Sequence, residues 1–131
     1  MISPAGQSPL LLDSNIVVWL DQKSARISPT VHHQLQTNPV VYLSAVTAWE
    51  LGIKQSLGKL KLVSQVSEII RDYSMMELPV TVTHGEAVRT MPLHHRDPFD
   101  RLLVAQAMVE GLVLVTSDRK LLRYGVPILL V

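Results

Sequence analysis

Leu10-Leu11-Leu12-Asp13-Ser14-Asn15 is a short apolar run that breaks at once into an acid and two residue types that cap helices. Three leucines in a row have no polar face, so the run reads as a strand buried on both sides. Asp13 or Ser14 then caps the helical pattern of residues 16–20. A strand that hands over directly to a helix is the building step of an α/β sheet, and it delivers Asp13 to the carboxyl end of the first strand.

The same alternation continues outward. Ser28-Pro29 reads as an N-cap with proline at the first helical position, opening a helix that stops near Asn38-Pro39. Residues 40–43 form a second strand, and Ser44 caps a helix that runs to about Leu57 and closes at Gly58. Val46, Trp49, Ile53 and Leu57 share one face of that helix, with Glu50 at its edge and Lys54 one turn on. A helix is expected over residues 64–76 and a third strand over 78–82. Thr83 and Glu86 have the spacing of a capping box, which opens a short helix ending by Pro92. Asp97-Pro98 repeats the cap-and-proline start, for a helix that Gly111 ends. Residues 112–116 form a fourth strand, and Ser117-Asp118 starts a last helix ending at Gly125. Residues 126–131 form a closing strand, which Pro127 marks as an edge. These elements predict a three-layer α/β/α sandwich around a mainly parallel central sheet.

Composition bounds the function. The 131 residues are expected to form one domain over residues 10–131, preceded by a flexible tail over 1–9. Hydrophobic residues make up 47% and charged ones 18%, which favours a packed core over disorder. Twelve basic and eleven acidic residues give a net charge of +1, so any nucleic-acid contact needs locally clustered bases. The absence of cysteine excludes disulfides and thiolate metal sites, leaving oxygen or imidazole as metal donors. No apolar run approaches the ~18 residues of a membrane span. The first nine residues lack the pattern of a signal peptide, and a cytoplasmic protein is expected.

The chemistry-bearing residues are acids. From Leu102 to Val109 only Gln106 is clearly polar, so that helix should be buried on most sides. Asp100 falls in the same stripe as Leu103, Val104 and Ala107, and an acid aimed at an apolar interior needs a metal, a cationic partner or a raised pKa. Asp13 follows the first strand, Asp118 follows the fourth, Glu50 lies in the helix after the second, and Asp100 lies in the helix entering the fourth. Ligands of parallel sheets bind at those strand ends. Four converging carboxylates suit a hard divalent cation, Mg²⁺ or Mn²⁺. Other readings stand beside this one: Asp13, Asp97 and Asp118 all occupy N-cap positions, and Glu50 has the spacing of an ion pair with Lys54.

Four blocks carry a family resemblance. Leu10-Leu11-Leu12-Asp13-Ser14-Asn15 is the first, and Ser44-Ala45-Val46-Thr47-Ala48-Trp49-Glu50 the second. Arg96-Asp97-Pro98-Phe99-Asp100-Arg101-Leu102-Leu103-Val104-Ala105-Gln106-Ala107 is the third, and Leu114-Val115-Thr116-Ser117-Asp118-Arg119 the fourth. In this order they resemble the acidic blocks of the PIN domain, most closely the VapC-type toxin ribonucleases of bacterial toxin–antitoxin pairs. The resemblance implies a PIN fold and a Mg²⁺- or Mn²⁺-dependent endoribonuclease. Asp13, Glu50, Asp100 and Asp118 match the family's acidic quartet, with Asp13, Asp100 and Asp118 as metal ligands. Thr116 and Ser117 stand where the family often has a hydroxyl beside the fourth acid. It also implies an RNA substrate, a homodimer, and an antitoxin whose C-terminal segment blocks the site. The segment before Leu10 is longer than such proteins usually carry.

Arg96, Arg101, Arg119, Lys120 and Arg123 flank the acids and are candidates for RNA phosphates, Arg96 and Arg119 foremost. His94-His95 reads as part of a polar loop rather than a zinc site, and His32-His33 as exposed helix surface. Trp19 and Trp49 read as core or dimer interface. Two rival functions are a partner-binding PIN-like scaffold without catalysis and an aspartyl phosphatase. The phosphatase reading needs a second acid two residues after Asp13, where this chain has Asn15.

Overall fold

The computed structural model describes residues 8–131. Residues 1–7 of the expected tail lie outside the described residues, while Ser8 and Pro9 are tied to the domain. The Ser8 carbonyl accepts from Asn38 Nδ2 at 2.9 Å, and the Pro9 carbonyl accepts from Val113 N at 3.0 Å.

Five strands make one parallel sheet: β1 (Leu10–Leu12), β2 (Val41–Ser44), β3 (Met76–Leu78), β4 (Val113–Thr116) and β5 (Ile128–Leu130), in the order β3-β2-β1-β4-β5. The leucine triplet sits at its centre, and all three residues are buried. Alternation along the strand sends Leu11 to one face and Leu10 and Leu12 to the other. On the Leu10/Leu12 face they join Ile16, Val17 and Leu20 of α1 (Ser14–Asp21), Val31 and Leu35 of α2 (Pro29–Thr37) and Ile69 of α4 (Val66–Asp72). On the Leu11 face the core is built from Leu103, Val104 and Ala107 of α6 (Pro98–Glu110), with Leu114 of β4 and Leu121. Near this layer lies α5 (Val82–Ala87), and α3 (Ala45–Ser56) serves both faces, giving Val46 to one core and Leu51 to the other. The expected three-layer sandwich is thus observed.

Local chemistry sets most boundaries. Ser28 Oγ accepts from Val31 N at 3.2 Å to cap α2, and Ser44 Oγ accepts from Val46 N at 3.1 Å to cap α3. Helix α6 ends at Gly111, whose φ of 67° is the left-handed conformation that terminates a helix. Gln106, the lone polar residue in the apolar run of α6, is fully buried as a cross-link. It accepts from Ser44 Oγ and donates to the Pro79 carbonyl at 3.2 Å, which joins α6 to the ends of β2 and β3.

Several boundaries differ from expectation, the closing strand among them, which is Ile128–Leu130 rather than 126–131. The helix expected over 64–76 spans only Val66–Asp72, because Ser74 adopts a φ of 53° and turns the chain. The third strand is Met76–Leu78 rather than 78–82, since Pro79 has no N–H with which to continue the ladder. The capping box uses Thr81 and His84 instead of Thr83 and Glu86. Thr81 Oγ1 accepts from His84 N at 3.3 Å and Thr81 N donates to His84 Nδ1 at 3.0 Å, so an imidazole takes the part of the usual glutamate. The last helix is a 3₁₀ segment, Arg119–Tyr124. Among the described residues no helix is long and apolar enough to cross a membrane.

Candidate active site

The chain leaves β1 toward β2 on one side, and β4 adds on the other. The strand order therefore reverses between β1 and β4, and in open parallel sheets that divergence makes a crevice at the carboxyl ends. Asp13 follows β1, and Asp118 stands two residues beyond β4. Helices α3 and α6 bring Glu50 and Asp100 to the same end. All four line one pocket of about 110 Å³, together with Ser14, Asn15, Lys54 and Asp97. The four acids singled out in the sequence are therefore brought together, and Ser117 is not among the lining residues.

Each acid is held differently. Asp13 is buried; its Oδ1 accepts from Ser14 N at 2.7 Å and its Oδ2 from Thr116 Oγ1 at 2.6 Å. Thr116 Oγ1 in turn accepts from Asp118 N at 3.0 Å, which fixes the hydroxyl proton toward Asp13. Burial pushes the Asp13 carboxyl up; the bonds from Thr116 and Ser14 oppose that, and Glu50 and Asp118 add to it. Glu50, also buried, accepts from Ser14 Oγ at 2.6 Å through Oε1 and pairs with Lys54 Nζ at 2.7 Å through Oε2. Its hydrogen bond raises the Lys54 pKa. The expected Glu50–Lys54 ion pair is therefore present, but inside the pocket rather than on an ordinary surface.

Asp97 and Asp100 divide their roles by position. Asp97 Oδ1 accepts from Phe99 N at 2.8 Å and Asp100 N at 3.2 Å, the hydrogen bonding of an N-cap. Asp100, one turn in, is carried among the other acids. Its carboxyl is pushed up to about 8, first by burial and then by Asp13, Asp97, Glu50 and Asp118. Asp118 caps the 3₁₀ segment through Oδ1, which accepts from Lys120 N at 2.9 Å, and turns Oδ2 inward. Cap and site residue are one and the same at Asp118 and at Asp13.

Five carboxylates and one already paired ammonium line a small pocket, so ionising all of them would accumulate like charge in a partly desolvated space. The donor set is oxygen-rich and suits a hard divalent cation, with Asp13, Asp100 and Asp118 as the residues that would hold it.

His95 is the functional candidate that sequence reading passed over. Instead of lying in a solvated loop, its Nε2 reaches Asp100 Oδ2 at 3.2 Å and Asp118 Oδ2 at 3.1 Å, and these three donor atoms lie within 4.8 Å of one another. Two clues existed in the sequence: the residue is two positions before the cap of α6, and it adjoins the acidic block. The basic candidates also separate. Arg96, Lys120 and Arg123 line a cleft of about 450 Å³ that includes His94, His95 and Asp97. Arg119 is exposed and does not line it. Arg101 donates to the Pro92 carbonyl at 2.9 Å and to Tyr124 Oη at 3.2 Å, which anchors the segment before α6. Trp49 is not core: it is 62% exposed and meets Phe99 edge to face at 5.1 Å. Trp19 packs partly buried against the α1 side core.

An acidic pocket at the switch point of a five-stranded parallel sheet defines a class of α/β proteins whose working residues stand at the strand ends. Residues 10–127 match the PIN domain, and the chain belongs to that family. It is 26% identical over 115 residues to Ribonuclease VapC22 of Mycobacterium tuberculosis, across 86% of this chain and 88% of that protein. It is similar in structure to VapBC2 from Rickettsia felis bound to a promoter DNA fragment, with a TM-score of 0.68 at 15% identity, covering 92% of this chain and 96% of the other. DNA-bound VapBC from Salmonella typhimurium gives a TM-score of 0.67 at 18% identity, covering 94% and 98%. At those identities the two structures speak for the fold alone. The resemblance read from the four acidic blocks is borne out.

Proposed function

We propose that this chain is a metal-dependent endoribonuclease, the toxin member of a toxin–antitoxin pair. The observation that carries the reading is the convergence of Asp13, Glu50, Asp100 and Asp118 on one small pocket at the strand ends. The name of the Mycobacterium tuberculosis relative supports ribonuclease activity, and the partner follows from the resemblance of the four acidic blocks to the toxins of toxin–antitoxin pairs. Mg²⁺ or Mn²⁺ is the proposed cofactor, RNA the substrate, a homodimer the assembly, and an antitoxin C-terminal segment the inhibitor at the pocket.

A bound divalent cation supplies Lewis-acid polarisation and stabilises the oxyanion charge that develops on a phosphodiester in displacement. Asp13, Asp100 and Asp118 would hold it. Asp13 is fixed by Ser14 N–H and the Thr116 hydroxyl, so it arrives preorganised. Glu50, steadied by Ser14 Oγ and Lys54, orients the attacking water and takes its proton. The water oxygen forms a bond to phosphorus as the bond to the 3′-oxygen breaks, and the departing 3′-oxygen takes a proton from solvent, leaving a 5′-phosphate and a 3′-hydroxyl. Arg96, Lys120 and Arg123 in the adjoining cleft grip neighbouring phosphates.

The test is RNA cleavage by the purified protein, with sequencing of the ends. Mg²⁺ or Mn²⁺ should restore activity lost in EDTA, while Asp13→Asn and Asp100→Asn should stay inactive. Cleavage at the wild-type rate by either variant, or activity that survives EDTA, would show the assignment to be wrong.

A further inference from the structure

His95 faces two of the four acids, and its second ring nitrogen decides in what capacity. Asp97 N donates to His95 Nδ1 at 3.1 Å. A backbone amide is always a donor, so Nδ1 presents its lone pair and the proton of the neutral ring sits on Nε2. That Nε2–H donates to Asp118 Oδ2 at 3.1 Å and lies 3.2 Å from Asp100 Oδ2. Nε2 in this tautomer has no lone pair to offer a cation. The backbone at this point is pinned as well. His95 N donates to Tyr124 Oη at 2.9 Å, and Arg101 Nη1 donates to the same hydroxyl. The spacing of His95, Asp100 and Asp118 is that of a mixed imidazole–carboxylate metal site, but the direction of the hydrogens excludes the imidazole as a ligand.

We propose that the His95 Nε2–H and a divalent cation are alternative occupants of the space against Asp118 Oδ2 and Asp100 Oδ2. His95 holds the carboxylates in register and gives way when the cation binds. This rests on the acidic-quartet reading of the pocket. A Mg²⁺ ion needs these oxygens at about 2.0–2.1 Å, and the N–H takes a lone pair of one and stands against the other. For His95 to bind the ion through Nε2, its proton would have to move to Nδ1 and face the Asp97 N–H donor to donor. His95 is therefore a positioning residue that sets how readily the acids accept a metal.

The experiment is Mn²⁺ binding by the whole chain without RNA, followed through the paramagnetic resonance of the free ion. His95→Ala should bind Mn²⁺ about tenfold tighter than wild type, the scale of one hydrogen bond to a charged group. His95→Gln, whose side-chain amide can donate again, should move back toward wild type. In the unaltered protein, ¹⁵N resonance of the imidazole should show the proton on Nε2 both with and without Mg²⁺, a readout that needs no variant to fold. Weaker binding by His95→Ala, nitrogen hyperfine coupling to bound Mn²⁺, or transfer of the proton to Nδ1 on loading would make His95 a ligand and overturn the proposal. Unchanged affinity in His95→Ala, with Mn²⁺ still lost in Asp100→Asn, overturns it while the acid site stands. If the wild-type protein takes up no Mn²⁺, the proposal and the metal-site reading fall together.

Discussion

Replacing Asp100 by asparagine should stabilise the protein and flatten the dependence of its stability on pH. The folded carboxyl titrates at about 8, because burial and then Asp13, Asp97, Glu50 and Asp118 oppose its ionisation. In the unfolded chain an aspartate titrates at about 3.9. Between those values the native state keeps a proton that the unfolded chain has released. Stability is therefore lost as the pH rises, at about 1.4 kcal/mol per pH unit for one proton. Over the two units from pH 5 to pH 7 the wild-type protein should lose roughly 2–3 kcal/mol that the variant keeps. The Asp100 side chain is only 16% exposed, so solvent screening removes little of this. Urea unfolding in EDTA, for both proteins at both pH values, measures the difference directly. Mg²⁺ in place of EDTA should narrow the gap, because a ligand that binds the folded wild-type protein stabilises it by mass action. Equal pH slopes in the two proteins would refute the reasoning, as would an asparagine variant that loses ground to wild type between pH 5 and pH 7.

Thr116→Val removes the donor to Asp13 Oδ2 in a buried setting and should lower stability by about 1–3 kcal/mol, read by urea unfolding, with a drop in RNA cleavage. Gly111→Ala places a side chain at a φ of 67° and should reduce stability by about 1–2 kcal/mol in thermal or urea unfolding, with cleavage per folded molecule unchanged. Arg96→Ala, Lys120→Ala or Arg123→Ala, each made in an Asp100→Asn background to prevent cleavage, should reduce the salt slope of single-stranded RNA binding by about 0.7 per lost phosphate contact. Arg119→Ala, outside the cleft, should leave that slope in place.

The acids were legible because each sits beside a local signal. Asp13 ends a leucine run, Asp118 follows a strand and caps the next segment, and the proline after Asp97 fixes which acid is the cap and which stands one turn inside α6. Glu50 was placed by the helix that Ser44 begins. The misreadings fall where tertiary context overrides local pattern. Strand β3 is an edge strand with Met76 and Glu77 exposed, so it has no alternation to betray it, and its extent is set by pairing with β2. The capping box shifted by two residues because His84 performs a glutamate's task there. His95 looked like loop because its direction depends on the Asp97 amide beside it and on Tyr124, 29 residues away. Trp49 belonged to an apolar helical stripe, yet the stripe extends past the edge of the core and leaves the ring exposed beside Phe99.

The two flanks of the sheet govern how anything can attach to this protein. Strands β3 and β5 are three residues each, with Pro79 directly after the first and Pro127 directly before the second. A visiting peptide that sought main-chain pairing would find a very short ladder on either flank and a proline at its end, so strand addition is a weak mode of docking here. A segment that approaches the acids must instead come over the strand ends, where it meets side chains rather than backbone. Its welcome there is decided by charge: cationic groups suit the carboxylate pocket, and anionic ones suit the neighbouring cleft of Arg96, Lys120 and Arg123. The proposed protein inhibitor and RNA substrate would thus contend for adjoining ground while being read by opposite signs.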